Sequence, residues 1–294
     1  MNHKNTIATI VTAAALCLTS ALTAQAFEDS QYPNLKGMWT RVVGPNEKDG
    51  VIPFDPSKPP GRGQQAPLTP EYQKIFEANL KEQELGVPGS WPGPSCLPPG
   101  LPAQMTAYNP MEIVVLPNVT YIRIDYIRET RRRIYTDGRP WPKVGTRPGE
   151  VEEGFDGYSL GKWVDEDKDG KFDVLEVETR YFKGPRFFDL TGIPLHEDNE
   201  TVIKERIYLD KADQNLLHND ITVEDHALTR PWTVKKSYRR AAETHPQWPE
   251  HICVWEVKTL RIGDELYRIG NDGLLAPTKK DQEPPSLKYF PNAQ

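Results

Sequence analysis

From residue 111 to residue 260 the chain alternates apolar and polar side chains in short runs separated by turn signals. A two-residue period means a strand with one face buried and the other wet. MEIVVL (111–116) and VTYIRIDYI (119–127) flank Pro117-Asn118, and RRRIYT (131–136) stops at Asp137-Gly138. GYSLGKWV (157–164) and FDVLEVETRYF (172–182) enclose an acidic loop and predict a hairpin. TVIKERIYL (201–209), LLHNDITVE (216–224), WTVKKSYRR (232–240) and HICVWEVKTL (251–260) complete the series. Such a run of strands, with no helix between them, predicts an antiparallel all-β fold. A lipocalin-like barrel, closed or nearly closed, is preferred because closure leaves no edge exposed. A two-sheet β-sandwich is the alternative.

One helix is predicted, at 69–85. Thr69 is its cap, Pro70 suits the first turn, Glu71 complements the dipole, and Gly86 with Pro88 ends it. Tyr72, Ile75, Phe76 and Leu80 fall on one stripe. The 28 prolines gather in 45–70, 88–102, 140–148 and 274–291, which therefore read as long irregular loops.

The first 26 residues have the pattern of an export signal: Lys4, an apolar stretch Ile7 to Leu22, and Ala24-Gln25-Ala26 as the cleavage site. Residues 27–294 then form a single barrel domain, periplasmic or secreted, with no membrane-spanning segment. The chain carries 36 Lys and Arg against 42 Asp and Glu, and loss of Lys4 takes its formal net charge from −6 to −7. That balance excludes generic nucleic-acid binding. Cys96 and Cys253 remain as a pair for a disulfide in an oxidising compartment, or as two buried thiols.

Residues 165–176, DEDKDGKFDVLE, carry the spacing of a calcium loop. Asp165, Asp167 and Asp169 alternate, Gly170 supplies the turn, and Lys171, Asp173 and Glu176 occupy positions 7, 9 and 12. Helices should flank an EF-hand, whereas strands flank this loop, so the expected ion is structural Ca²⁺ at a hairpin tip. Asp173 is then a better closing ligand than Glu176. The other reading is an acidic turn whose Asp side chains bond their own backbone.

Glu205 stands out in TVIKERIYL because it shares a face with Ile203, Ile207 and Leu209. A carboxylate on an apolar face needs a partner, and desolvation prepares it for acid–base chemistry. Alternation in RRRIYT offers Arg133 as that partner, with Asp137 following. His196, in the loop before the Glu205 strand, is a third polar candidate. The alternative is a purely structural Arg–Glu pair. Gly157-Tyr158-Ser159-Leu160-Gly161 matches the nucleophile-elbow pattern, but it lies within a strand and lacks βα surroundings. Five of the six histidines lie beyond residue 26, and none forms HxxxH or HExxH; without CxxC either, no zinc motif is present.

The segments LKGMW (35–39), CLPPGLP (96–102), PMEIVV (110–115), RRIYTDGRPWP (132–142), GYSLGKW (157–163) and PWTVKKSYRR (231–240) resemble a large family of exported bacterial β-rich proteins. The resemblance covers most of the chain after residue 26 and implies no activity. Members of that family carry a short Gly-Asp turn where this chain has the acidic loop, and a histidine where it has Tyr158.

Two functions follow from these readings. The first is a small-molecule-binding barrel, with cofactor-free acid–base chemistry on a largely apolar substrate. Glu205 or His196 would move the proton, and Arg133 would hold negative charge. The second is a non-catalytic module, held by calcium and a disulfide, that binds glycans or envelope components through Trp91, Trp141 and Trp248. A serine hydrolase centred on Ser159 is a third.

Overall fold

Alternation becomes a closed ring. Strands β1 (Met38–Arg41), β2 (Met111–Leu116), β3 (Val119–Tyr126), β4 (Arg128–Tyr135), β5 (Tyr158–Val164), β6 (Val174–Arg180), β7 (Val202–Leu209), β8 (Leu216–Glu224) and β9 (Trp232–Arg240) pair in chain order. Strand β1 then pairs with β9 and closes the barrel. This is a computed structural model, describing residues 29–42, 66–84, 97–106, 109–126, 128–189, 191–242, 258–269, 274–286 and 288. The expected signal segment, Cys96, Cys253, Trp91 and Trp248 lie outside the described residues. Among the described residues no helix is long and apolar enough to cross a membrane.

The expectation of a barrel holds, with one departure from antiparallel pairing. A closed ring can be antiparallel throughout only if its strands are even in number, and this ring has nine. The parallel joint falls between β4 and β5 and spans two residue pairs, Ile134 with Ser159 and Tyr135 with Leu160. Parallel neighbours need a long crossover, here residues 136–157, which include the proline-rich stretch 140–148. A Cβ at Gly161 would stand 2.6 Å from Cγ2 of Ile134. The joint closes at that spot because the residue is glycine.

The ring closes through β1, not through the 251–260 run. From Lys258 that run forms β10 (Lys258–Ile262), which joins β11 (Glu265–Ile269) and β12 (Leu275–Pro277) in a separate antiparallel sheet. Trp39 explains how a strand of only four residues seals the barrel. It is fully buried, pairs with both Met111 and Arg240, and carries the Arg240 guanidinium 4.2 Å above its ring.

Hydrophobic side chains fill much of the lumen. Ile122, Ile134, Leu175, Ile203, Ile221 and Val234 point inward from six strands and belong to one buried cluster, as side chains do in small barrels. Residues 101–106, including α2 (Ala103–Thr106), are buried as a plug. The Tyr238 hydroxyl donates to the Met105 carbonyl, and Arg41 Nη1 donates to the Thr106 carbonyl at 2.6 Å.

The helix α1 (Pro70–Glu84) lies where expected. Its Gln73 amide donates to the Thr69 carbonyl at 2.8 Å and its Tyr72 amide to Thr69 Oγ1 at 3.4 Å, as an N-cap requires. Its inner stripe differs from expectation by one position. Ile75 is exposed, while Asn79 is buried and its Nδ2 donates to the Gly192 carbonyl at 3.5 Å. The docking face runs Tyr72, Phe76, Asn79 and Leu80, and beside it Gln83 Nε2 reaches the Thr191 carbonyl at 3.1 Å.

Candidate functional site

A fully buried ion pair lies in the lumen, and it corrects the sequence reading. Glu205 does share the inner face with Ile203, Ile207 and Leu209, but its partner is Arg132 and not Arg133. Arg132 Nη1 donates to Glu205 Oε1 at 3.0 Å, and Nη2 donates to Oε2 in a shorter contact, a bidentate arrangement. Asn219 Nδ2 donates to Oε1 at 2.8 Å. The remaining guanidinium donors reach Thr179 Oγ1 at 3.1 Å and Ser159 Oγ at 3.4 Å. Ile134 decides the register: it is fully buried, so Arg132, two residues before it, points the same way and Arg133 points out.

Ser159 has thereby lost the part that the elbow pattern suggested. It is buried within β5, its hydroxyl shares a hydrogen bond of 2.8 Å with Thr179 Oγ1, and no histidine is among its partners in the described residues. The hydroxyl completes the shell around Arg132.

A cleft reaches this polar centre through the barrel wall. Beyond their two paired residues β4 and β5 part, and a hollow of about 540 Å³ opens there, lined by Arg132, Tyr121, Tyr135, Tyr158, Phe155 and Asp156, among others. Its volume is that of a small-molecule site. Gly157, at φ +63°, lets the chain turn here; a Cβ would stand 2.6 Å from the Arg180 carbonyl. Tyr135 and Tyr158 stack with centroids 5.0 Å apart. Arg133 lies at the rim, 5.4 Å from the Tyr121 ring centroid and 5.9 Å from that of Tyr135.

Asp156, which no sequence pattern marked, is the unusual group in the cleft. Its Oδ1 is shielded from water and has no hydrogen-bond partner among the described residues. Burial pushes its carboxyl pKa up, and the nearby Arg132 charge pulls the other way without cancelling the effect. Arg132 already faces the Glu205 carboxylate, so little of its charge is left to hold a second anion.

The other expected catalytic groups lie elsewhere. Asp137 is on the outside, where the Arg139 guanidinium holds its carboxyl below the usual range. Arg139 in turn lies 3.8 Å above Tyr135, so Asp137 steadies the outer wall of the cleft. His196 pairs with Asp198 at 3.1 Å and packs against Tyr72, apart from the partners of Glu205. His218 is buried between Ser237 Oγ at 2.8 Å and Asp210 Oδ2 at 3.2 Å.

In the acidic turn the carboxylates of Asp165, Asp167 and Asp169 converge within 4.8 Å. They also accept backbone amides: Gly170 N donates to Asp165 Oδ2 at 3.0 Å and Lys171 N to Asp169 Oδ1 at 2.8 Å. Asp173 accepts the Glu166 amide at 2.8 Å, and Glu176 pairs with Lys162 at 3.0 Å and Arg206 at 3.5 Å. The first three carboxylates are therefore the ones that could hold a cation, and Glu176 belongs to a row of surface ion pairs.

Removing one partner of a buried ion pair strands the other charge, which typically costs about 3–5 kcal/mol. Arg132→Met and Glu205→Gln should each lower stability by that order in urea unfolding. The double variant Arg132→Met/Glu205→Leu should recover most of the loss, since a neutral pair leaves no stranded charge. Equal losses in all three would mean that the pair is not the source of the effect. No family model matches the chain and no curated protein is similar to it, so the meaning of the cleft rests on its own geometry.

Proposed function

We propose that the protein binds a small, flat, largely apolar molecule in the cleft beside the β4–β5 joint, and that Asp156 exchanges a proton with it. The observation that carries this reading is the Oδ1 of Asp156, without a hydrogen-bond partner among the described residues, in a hollow walled mainly by tyrosine rings, Phe155, Arg132 and Arg133. A carboxyl with a raised pKa keeps its proton to higher pH than an exposed one, which suits it to acid–base work. Arg133, at the rim, would face negative charge developing on the ligand. Reactions open to such a set without a cofactor are hydration, dehydration, isomerisation and hydrolysis. Export after cleavage at Ala26 belongs to the same reading, with a Cys96–Cys253 disulfide forming in that compartment.

The test begins with protein purified from its native compartment and denatured for mass spectrometry. A small molecule should accompany the wild type and be absent from Tyr135→Ala/Tyr158→Ala; equal retention by both would refute the cleft as its site. Asp156→Asn should raise the melting temperature at neutral pH. The sign follows from linkage: a carboxyl whose pKa is higher folded than unfolded weakens the fold above that pKa and not below its unfolded value. The gain should therefore shrink as the pH falls into the acid range. A gain that is constant with pH would rule out a titrating Asp156.

A glycan-binding reading has one observation in its favour. A trough of about 650 Å³ on the outside of the barrel is lined by Trp141 together with Lys162, Glu178, Lys204, Arg206 and Asp220. One aromatic face among charged and hydroxyl groups suits a saccharide. Trp141→Ala should then weaken binding to soluble oligosaccharides in glycan-array measurements while the molecule in the cleft is retained. Loss of neither, or of both together, would remove the trough from consideration.

Calcium in the acidic turn would be structural, closing the β5–β6 hairpin. With three carboxylates and the remainder supplied by backbone carbonyls and water, affinity should fall in the range of extracellular modules, on the order of 10⁻⁴–10⁻³ M. Millimolar Ca²⁺ should raise the melting temperature relative to chelator, and Asp165→Asn/Asp169→Asn should abolish the shift. An unchanged wild-type melt would leave only the hydrogen-bonded turn.

A further inference from the structure

Two loops held side by side at one end of the barrel bring together ligand-type side chains that the cleft does not use. His196 and Asp198 come from the loop leading into β7, and His226 from the turn between β8 and β9. One nitrogen or carboxylate oxygen from each lies within 4.8 Å of the other two. Nδ1 of His196 is 3.1 Å from Asp198 Oδ2, and Nδ1 of His226 makes a shorter contact with the same oxygen. Glu200 Oε2 stands 3.9 Å from Nδ1 of His226.

This spacing is close to what a metal ion demands. Bonds of about 2.0–2.1 Å to imidazole and carboxylate place neighbouring ligand atoms roughly 3–3.4 Å apart. The His196–Asp198 separation already fits, and the His226 side chain, 63% exposed, is free to rotate outward to match it. His196 Nδ1 also accepts the Asp198 amide at 3.1 Å, a hydrogen bond that a bound metal would replace.

Neither loop owes its position to the cluster itself. Asp225, adjacent to His226, accepts the His196 amide at 2.9 Å, the Ala227 amide at 2.8 Å and the Thr201 hydroxyl at 2.5 Å, tying one loop to the other. From beneath, the buried Arg186 donates to the His196 carbonyl, to Asn199 Oδ1 at 3.1 Å and to Thr201 Oγ1 at 3.2 Å. Anchors of this kind hold metal ligands in place ahead of the metal. Glu197, Asp198, Glu200 and Asp225 add a local excess of negative charge that favours a cation.

We propose that His196, Asp198 and His226 bind one divalent transition-metal ion of the zinc class, which fastens the two loops to each other. Glu200 or a water completes the coordination. Two imidazoles and a carboxylate select against calcium and magnesium, which take oxygen ligands throughout.

The full chain, without a histidine tag and stripped with chelator, is titrated with Zn²⁺ by calorimetry and with Co²⁺ by visible absorption. One equivalent should bind, and the melting temperature should climb with Zn²⁺ concentration. His196→Ala and His226→Ala should each weaken Zn²⁺ binding at least roughly tenfold and erase the Co²⁺ bands, whereas Ca²⁺ should not compete. Melting of each variant in chelator checks that it is folded; should His196→Ala fail that check, His226→Gln, at an exposed position, carries the comparison. Zn²⁺ affinity in His196→Ala/His226→Ala equal to that of the wild type would overturn the assignment, as would a Co²⁺ spectrum unchanged by the substitutions.

Discussion

A guanidinium and a carboxylate locked together in the middle of a hydrocarbon lumen set the terms for everything around them. Arg132 on β4 and Glu205 on β7 lie on strands that are not neighbours in the ring, so their bond spans the barrel interior. Neither charge can leave without stranding the other, and a slip of one residue in either strand would send its charge outside. The hydroxyls of Ser159 and Thr179 and the amide of Asn219 make sense only in relation to this pair. They use donors and acceptors that the salt bridge leaves over. Whether such a pair adds net stability over apolar side chains is a separate matter; its clearer effect here is to make one register distinguishable from its neighbours.

The same pair shapes the chemistry of the cleft. A lone arginine beside Asp156 would hold it ionised, and a lone aspartate in an apolar hollow would be neutral. Here the guanidinium is bidentate to Glu205, and the balance at Asp156 tips toward the effect of burial. The barrel thus brings two carboxyl groups near one cation and gives them different surroundings. One is fully bonded and buried deep; the other is at the wall with an oxygen left over.

How much of this could be read beforehand depends on the range of the interaction involved. Period-two alternation located the barrel strands from β2 to β9, and Thr69 with Pro70 located the start of the helix, because those signals are local. Glu205 was recognisable as a carboxylate on an apolar face for the same reason. Its partner was misassigned because three consecutive arginines look alike, although Ile134 two places on identifies Arg132 as the inward one. Asp156 carries no motif; its significance is an unpaired oxygen, a property of the folded surroundings. His196 is legible only as an acid–base candidate, and its approach to Asp198 and His226 is silent in the sequence, since Asp198 and His226 meet from loops 28 residues apart. Asn79 replaced Ile75 on the docked stripe because the groove beneath offers the Gly192 carbonyl.

Parity gives the nine-stranded ring a property that an even barrel lacks. Every antiparallel neighbour reverses the chain direction, so a closed path through an odd count must include a joint that does not. Adding or deleting a hairpin changes the count by two and preserves that requirement. Adding or deleting a single strand would remove it, and with it the parting of β4 and β5 where the hollow beside Arg132 and Asp156 opens. Related barrels are therefore free to differ in length by whole hairpins without losing the opening in the wall. Growth by one strand at a time is the route that would seal it.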